Sequence, residues 1–534
     1  MYRIITSTVI VSILLNISFT SKAEDQKQIC NQTENIELTT NDIFDLEDPD
    51  TIFLHRWGNF FHIKTKSKTL INEAAFFIKK CDIDEQELQE LERHLRNKKY
   101  FNDARVTATE NSTKIKVETW DNWSLMPTID FGRKGGVNKY AIGIKDRNFL
   151  GLGIDAEIES FTNDQRSGYK FKSHFPLFLN NNINTTIRFT SNDDGTSEAI
   201  SIDKDFVSFD TNKAFNIGFN NFNQIDTQYK NGEEFNQYNH KQKLSTANWL
   251  WLHKDTTANT LRFGIGYTSE EHQFSNHEIT DLTSSGFLPE NREFNYPFLN
   301  VEFLQKDYRK LTNVNLINHI EDFNLGWHVT GRLGSDISDS DTSPMLIWQS
   351  SVSKGIDVFE NAFWFFTASF EGERYNSSDK ESRTLLNISN EYFHKFNNNW
   401  SGYFKNVSQI SQNQFKDSPI VLGGETGLRG YPLQYQHGDQ STLFSLEARY
   451  YPHTNIYKLV EVAGAAFIDV GKILNQNETT TEKKSWMTSM GLGARFYSTQ
   501  TSETRVIHLD IIKPITSDLN VNDIELRITT EQSF

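Results

Sequence analysis

Residues 458–471 read K-L-V-E-V-A-G-A-A-F-I-D-V-G. Val460, Val462, Gly464, Ala466, Ile468 and Val470 fall on one face of an extended chain, and Glu461 and Asp469 fall on the other. Successive side chains of a β-strand point to opposite faces, so this period of two separates an apolar face from a charged one. The pattern recurs on both sides. In 442–451, Phe444, Leu446, Ala448 and Tyr450 oppose Glu447 and Arg449. In 524–534, Ile524, Leu526, Ile528 and Phe534 oppose Glu525, Arg527 and Glu531. From Ser124 onward, alternating segments are broken by turn signals at intervals of roughly 10 to 25 residues. Lys134-Gly135-Gly136, Asn192-Asp193-Asp194-Gly195 and Phe396-Asn397-Asn398-Asn399 are examples.

Strands with one apolar and one charged face fit two architectures. One is a soluble sandwich or barrel whose charged face is solvated. The other is a transmembrane barrel, apolar toward lipid and polar toward a wet lumen. Composition favours the second. The chain has 41 Phe, 18 Tyr and 10 Trp against 10 Pro and 5 Met, so residues that pack on pleated surfaces are abundant. Mean hydropathy is −0.57, and no segment after the first 23 residues has the long apolar run of a membrane helix. Barrel strands escape that test because their two faces average out as polar.

The first 23 residues have the form of a secretory leader. Arg3 gives a positive start, Thr8 to Phe19 is mostly apolar, and Ser21-Lys22-Ala23 is a small-x-small cleavage pattern. We expect cleavage after Ala23. The loss of Arg3 and Lys22 would make a chain of net charge −16 still more acidic. An acidic chain with no basic stripe argues against nucleic-acid binding. Cys30 and Cys81, the two cysteines, would meet an oxidising compartment and are candidates for pairing.

Residues 24–49 are acidic and polar and read as a tail. Between 50 and 120 the period changes. Thr51–Leu54 and Phe60–Ile63 read as strands, and Leu70–Ile78 reads as a helix. Asp84-x-x-Glu87 is a capping-box start for a second helix carrying Leu88, Leu91 and Leu95. Two strands follow near Ala104–Thr109 and Lys114–Thr119. The order β-α-α-β-β is a small α+β unit. His62 and His94 lack metal-ligand spacing.

Residues 421–432, V-L-G-G-E-T-G-L-R-G-Y-P, interrupt the strand pattern. Gly423, Gly424, Gly427 and Gly430 permit a tight backbone, and Arg429 and Tyr431 lie among and just beyond them. A guanidinium presents a rigid fork of donors suited to a carboxylate. Five alternating segments follow this loop and up to about fifteen precede it, giving about twenty strands within 121–534. Counting strands places the loop at the same end of the barrel as the first hairpin turn.

Several stretches together carry a resemblance. They are L-E-R-H-L-R-N-K-K-Y-F-N-D-A-R-V at 91–106, W-D-N-W-S-L-M-P at 120–127, D-R-N-F-L-G-L-G at 146–153, the L-R-G-Y loop, and G-A-A-F-I-D-V-G at 464–471. In this order, and ending on Phe534, the chain resembles the BamA/TamA superfamily of outer-membrane assembly and translocation barrels, which includes two-partner-secretion transporters. The 50–120 unit resembles a POTRA (polypeptide-transport-associated) domain. The resemblance implies a sixteen-stranded barrel in the bacterial outer membrane with its N-terminal domain in the periplasm. It implies extended polypeptide clients, received by strand addition. It also implies that the loop folds into the lumen and that Arg429 pairs with Asp469, with Gly427, Gly430 and Tyr431 shaping the latch. Glu447 and Asp510 are further candidates for that network. Only one POTRA-like unit fits in this chain, which departs from the multi-domain members of the superfamily.

The functional expectation is a barrel that inserts or translocates polypeptides, with the lipid bilayer and unfolded clients as partners. The alternative is a passive outer-membrane pore or transporter. The seam between the first and last strands is the expected moving part. Pro127 removes a ladder donor, Gly132 weakens its strand, and Phe534 ends the closing strand. No G-x-S-x-G elbow, metal cluster or phosphate loop is legible, so we expect no enzyme activity and no cofactor. His508 has no nucleophile at readable spacing.

Overall fold

The computed structural model describes residues 36–78, 84–108, 115–134, 136–178, 182–277, 288–338, 343–376, 380–474, 485–501, 505–515 and 520–531. The expected leader at 1–23, Cys30, Cys81 and Phe534 lie outside them.

Twenty antiparallel strands between Leu125 and Glu531 close into one barrel. Fifteen precede the arginine loop and five follow it, as the turn signals indicate. The sixteen strands implied by the resemblance are therefore corrected to twenty. The extra segments are full ladder members and not structured loops. Lys213–Lys230, for example, pairs from end to end with residues 233–251 of the next strand.

The outer face is apolar around the barrel. Ile142 and Ile144 are each 64% exposed, and Phe189, Ile217, Ile265, Leu299, Leu446, Ile468, Leu492 and Ile511 also point outward. A continuous exposed apolar belt of this kind is unfavourable in water. It suits lipid, where a closed barrel leaves no backbone edge unpaired. No helix among the described residues is long and apolar enough to cross a membrane, which says nothing against crossing with strands. The inner face buries charge: Glu447, Arg449, Glu461, Asp469, Arg495, Asp510, Glu525 and Arg527 all lie inside.

The N-terminal unit differs from its sequence reading in two ways. Its first strand is β1 (Ile36–Asn41), within the expected tail. Phe53–Phe61 is a helix, α1, where two strands were expected. Phe53, Trp57, Phe60 and Phe61 recur at spacings of four, seven and eight, which is a helical face and not an alternating one. Then come α2 (Ser67–Ile78), α3 (Glu85–Arg96), β2 (Phe101–Ala108) and β3 (Ile115–Asp121). β1 runs parallel to β3, and β3 pairs antiparallel with β2. The Asp84 carboxylate accepts from the Glu87 amide at 2.8 Å, and Glu87 accepts in return from the Asp84 amide at 3.2 Å, closing the capping box. Leu70, Ala74, Phe77, Leu88, Leu91, Leu95 and Val117 form the core.

This unit is fastened across one mouth of the barrel. The Lys66 amide donates to Gly151 O at 3.0 Å, and the Trp123 amide donates to Gln500 O at 2.8 Å. The Phe209 amide donates to Glu90 at 2.7 Å, and Arg96 donates to Asp322 at 2.5 Å. His55 Nε2 lies 2.7 Å from Tyr457 O. Each barrel residue here sits in a connection after an even-numbered strand, so all lie at one end. The Gly/Arg loop follows an odd-numbered strand and enters from the other end.

Glu73 on α2 gives this unit a pH signature. Its carboxylate meets Lys98 at 2.6 Å, His94 at 3.0 Å and Tyr100 at 2.9 Å. Burial acts to raise its pKa, but Lys98 and His94 outweigh this and hold it at about 2, below the ordinary 4.5. The folded value lies below the unfolded one, so the charge stabilises the fold above pH 4.5 and that contribution is lost as pH falls toward 2. Hydrogen exchange across 67–96 should rise over that window, and Glu73→Gln should flatten the dependence. An unchanged profile in the variant would contradict this assignment.

Candidate functional site

The segment 413–439 joins the fifteenth strand (Trp400–Gln412) to the sixteenth (Gln440–Ile456) and lies inside the barrel. It begins and ends as a short ladder, Ile420–Leu422 against Gln436–Gly438. Between these, Gly427 has φ +105° and Gly430 φ +88°, a region that L side chains seldom adopt. A Cβ on Gly430 would also lie 2.8 Å from Ile512 on the nineteenth strand (Val506–Pro514), so the backbone presses directly on the wall. Leu422, Leu428, Tyr431 and Tyr435 pack there with Leu443, Ile473 and Met487. The Tyr431 hydroxyl donates to Thr488 O at 3.1 Å and lies 3.0 Å from the Thr488 amide.

This packing aims one guanidinium. Arg429 donates through Nε to Asp469 Oδ2 at 2.6 Å and through Nη2 to Asp469 Oδ1 at 2.7 Å. Nη1 donates to Glu447 Oε1 at 2.8 Å. Its carbon centre stands 3.4 Å from the centroid of the Phe467 ring, adding a cation–π contact. Asp469 is wholly buried and Glu447 nearly so. One cation thus meets two carboxylates. Charge-assisted, bidentate pairs in a low dielectric are strong and geometrically specific.

The network continues past Glu447. Arg449 Nε donates to Glu447 Oε2 at 3.1 Å, and its Nη1 donates to Val314 O at 3.0 Å. Arg449 also lies 3.9 Å from the centroid of the Tyr403 ring. Val314 belongs to a second insertion, 306–327, between the tenth strand (Arg292–Gln305) and the eleventh (His328–Gly334). It carries a small hairpin, Tyr308–Thr312 against Ile320–Asn324. Leu316 and Ile317 pack on Tyr451, Ala463, Ala465, Tyr497 and Val506 inside the barrel. Glu321 accepts from the amides of Val314, Asn315 and Leu316 at 3.3, 3.0 and 3.1 Å, holding the tip together. Burial pushes Glu321 up to about 7 in spite of those donors.

Two insertions from opposite ends therefore meet at Glu447. The upper one is also tied across the lumen. Arg292 grips Asp417 with two bonds of 2.8 Å, and Gln434 accepts from the Tyr229 amide at 2.9 Å. The lower one reaches the N-terminal unit. Arg96 bonds Asp322, and Lys310 meets Glu92 at 2.8 Å. Asp510 lies beside this network and takes Arg495 at 2.6 Å as its partner.

The strand sequences placed Glu447, Arg449 and Asp469 on the lumen face, but gave Arg449 no role. The inner hairpin was missed altogether. Its one signal is N-V-N-L-I-N-H-I at 313–320, where asparagines break the alternation without making an obvious turn.

The seam is the second element of the site. Among the described residues, the first strand (Leu125–Lys134) and the last (Glu525–Glu531) share a single paired position, Arg133 with Ile528. The first and second strands pair continuously from Leu125↔Asp146 to Lys134↔Val137. Pro127 and Gly132 both lie on the first strand, and Gly132 lets Ile528 O approach within 3.3 Å of where a Cβ would stand. Asp130 accepts from Thr530 across the seam at 3.2 Å.

No protein-family model matches this chain, and no curated protein does. Among solved structures it is similar to CdiB from Escherichia coli, with 9% identity and a TM-score of 0.48, covering 94% of this chain and 77% of that one. It is similar to CdiB from Acinetobacter baumannii, with 11% identity and a TM-score of 0.45, covering 88% and 72%. For BamA from Haemophilus ducreyi lacking POTRA domains 1–3 the figures are 12%, 0.39, 93% and 84%. At these identities and scores the likeness assigns no function.

Removing Arg429 strands the buried Asp469 carboxylate and leaves Glu447 with Arg449 alone. Loss of one member of a buried pair costs about 3–5 kcal/mol. Arg429→Ala should expose 413–439 to protease while the barrel stays intact. Asp469→Asn should do so less, because Glu447 still holds Nη1. Equal resistance in Arg429→Ala and the parent would contradict the latch.

Proposed function

We propose that this chain is an outer-membrane barrel that inserts or exports polypeptides, with residues 36–121 in the periplasm as a POTRA-like receiving domain. The observation that carries the proposal is the seam. Among the described residues nineteen junctions are laddered, and one rests on a single paired position. Each ladder bond removed from a junction lowers the free energy needed to part it, so opening concentrates where bonds are fewest. A parted seam presents two strand edges, and an edge of unpaired N–H and C=O groups is a template for another strand.

The lumen counts against the passive-pore reading. Both insertions pack on the wall formed by the sixteenth to nineteenth strands, and buried ion pairs hold them. A constitutive pore has no need of two insertions held inside it by buried ion pairs.

The receiving edge is closed in this state. β2 is an edge strand, and a free edge would offer its amides to a client. The outward Val106 amide instead donates to Glu92 at 3.2 Å, and Glu92 is bonded by Arg96 and by Lys310 of the inner hairpin. Client binding on β2 therefore requires Glu92 to give way and the inner hairpin to move.

The test is a bridge across the seam. Arg133→Cys with Ile528→Cys joins the paired positions. Oxidation should abolish client traffic and reduction should restore it. Full traffic in the oxidised protein would remove lateral opening from the mechanism.

A further inference from the structure

Helix α1 is amphipathic, with its apolar side turned away from the protein. Phe60 is 80% exposed, Phe53 65%, Trp57 60% and Phe61 56%. These rings pack on one another and not on a core. Phe53 and Trp57 meet edge-on at 6.1 Å, Trp57 and Phe61 at 6.2 Å, and Phe60 and Phe61 at 5.1 Å. The opposite side, His55 and Gly58, is buried. His55 stacks on Phe44 with ring centroids 4.4 Å apart and meets Tyr457 O, and Gly58 lets Phe44 come close. The helix is therefore fixed in place, and its aromatic face is not a docking side left loose by poor packing.

Its position identifies what covers that face. The chain from His55 to Thr69 runs along the barrel rim, from the connection at Tyr457 to the connection at Gly151. The exposed apolar belt comes down to that same rim. Ile456, Tyr457, Phe149 and Leu150 are exposed at these connections, and Trp249, Trp364, Trp400 and Tyr450 stand outward near this end of their strands. Aromatic residues gather where a barrel crosses the membrane–water boundary, because their rings suit a half-wet layer. The face of α1 continues this girdle. Beside it Arg56, Lys66 and Lys68 are exposed, a basic fringe suited to anionic headgroups.

We propose that α1 lies in the bilayer interface, its aromatic face among the acyl chains and headgroups of the leaflet next to the N-terminal unit. The proposal rests on the membrane-barrel reading above. Its consequence is mechanical. Trp123, which follows β3 and leads into the first barrel strand, packs near Gly58 and bonds the Gln500 connection. Lipid holding α1 thus holds the root of the seam strand and the orientation of the receiving domain.

The full chain in vesicles of phosphatidylethanolamine and phosphatidylglycerol tests this, with and without lipids brominated along the acyl chain. The emission lost in Trp57→Phe isolates Trp57, and Trp249→Phe isolates a barrel tryptophan. Trp57 emission should be lost to bromolipid and shielded from aqueous iodide. Phe60→Trp should add a second component with the same behaviour. Quenching of Trp57 and of the component added by Phe60→Trp by iodide alone would overturn the proposal. So would shielding of both from both quenchers, which would mean that a client or a second copy covers the face. Quenching of Trp249 by bromolipid in either case would leave the barrel reading standing. Failure of Trp249 to respond would remove that reading itself.

Discussion

The rest of the lumen depends on a shared carboxylate. Glu447 accepts from Arg429 of the upper insertion and from Arg449, which holds the lower one. Both insertions also pack apolar side chains on the wall, Leu428 and Tyr431 in one and Leu316 and Ile317 in the other. Each is ordered by a few buried charges, and those charges are tolerable inside only because each is paired. The node is specific for the same reason. An arginine fork, two carboxylates and one ring admit a single arrangement, whereas an apolar contact would tolerate sliding.

That arrangement connects distant parts by direct contact. From Asp469 the bonds run through Arg429, Glu447 and Arg449 to Val314, and from the same insertion through Asp322 and Lys310 to Arg96 and Glu92. Glu92 covers the β2 edge. The Arg429–Asp469 pair and the β2 edge of the N-terminal unit are two ends of one bonded chain. The two packed insertions, the bonded Val106 amide and the unbroken network occur together in one structure. Under the proposed function, a client that takes the edge would compete with Glu92 for the Val106 amide.

How much of this was legible depended on what the residues had to do. Strands in a barrel wall are two-faced, so Val460–Val470 and Phe444–Tyr450 reported their own sides, and the count of twenty followed from turn signals. Glycines at 427 and 430 marked a backbone with positive φ, and a lone arginine between them marked an aimed charge. The resemblance supplied Asp469 as its target, but its sixteen strands were too few for this chain. α1 was misread because Phe53-Leu54 and Phe60-Phe61 are short apolar runs, and length alone does not tell a strand from one face of a helix. β1 was hidden because Ile36–Asn41 is too short and too polar to stand out before β3 is there to pair with it. The inner hairpin left almost no trace, since its order comes from Glu321, Arg449 and the wall around it, not from local preference.

The central claim is that the node couples the two insertions. Hydrogen exchange of the Val314, Asn315 and Leu316 amides in Arg429→Met tests it most directly, because none of the three touches Arg429. The account predicts faster exchange at 314–316 together with 421–432, since Glu447 loses its fixed pose and Arg449 loosens with it. Faster exchange at 421–432 with unchanged protection at 314–316 would contradict it.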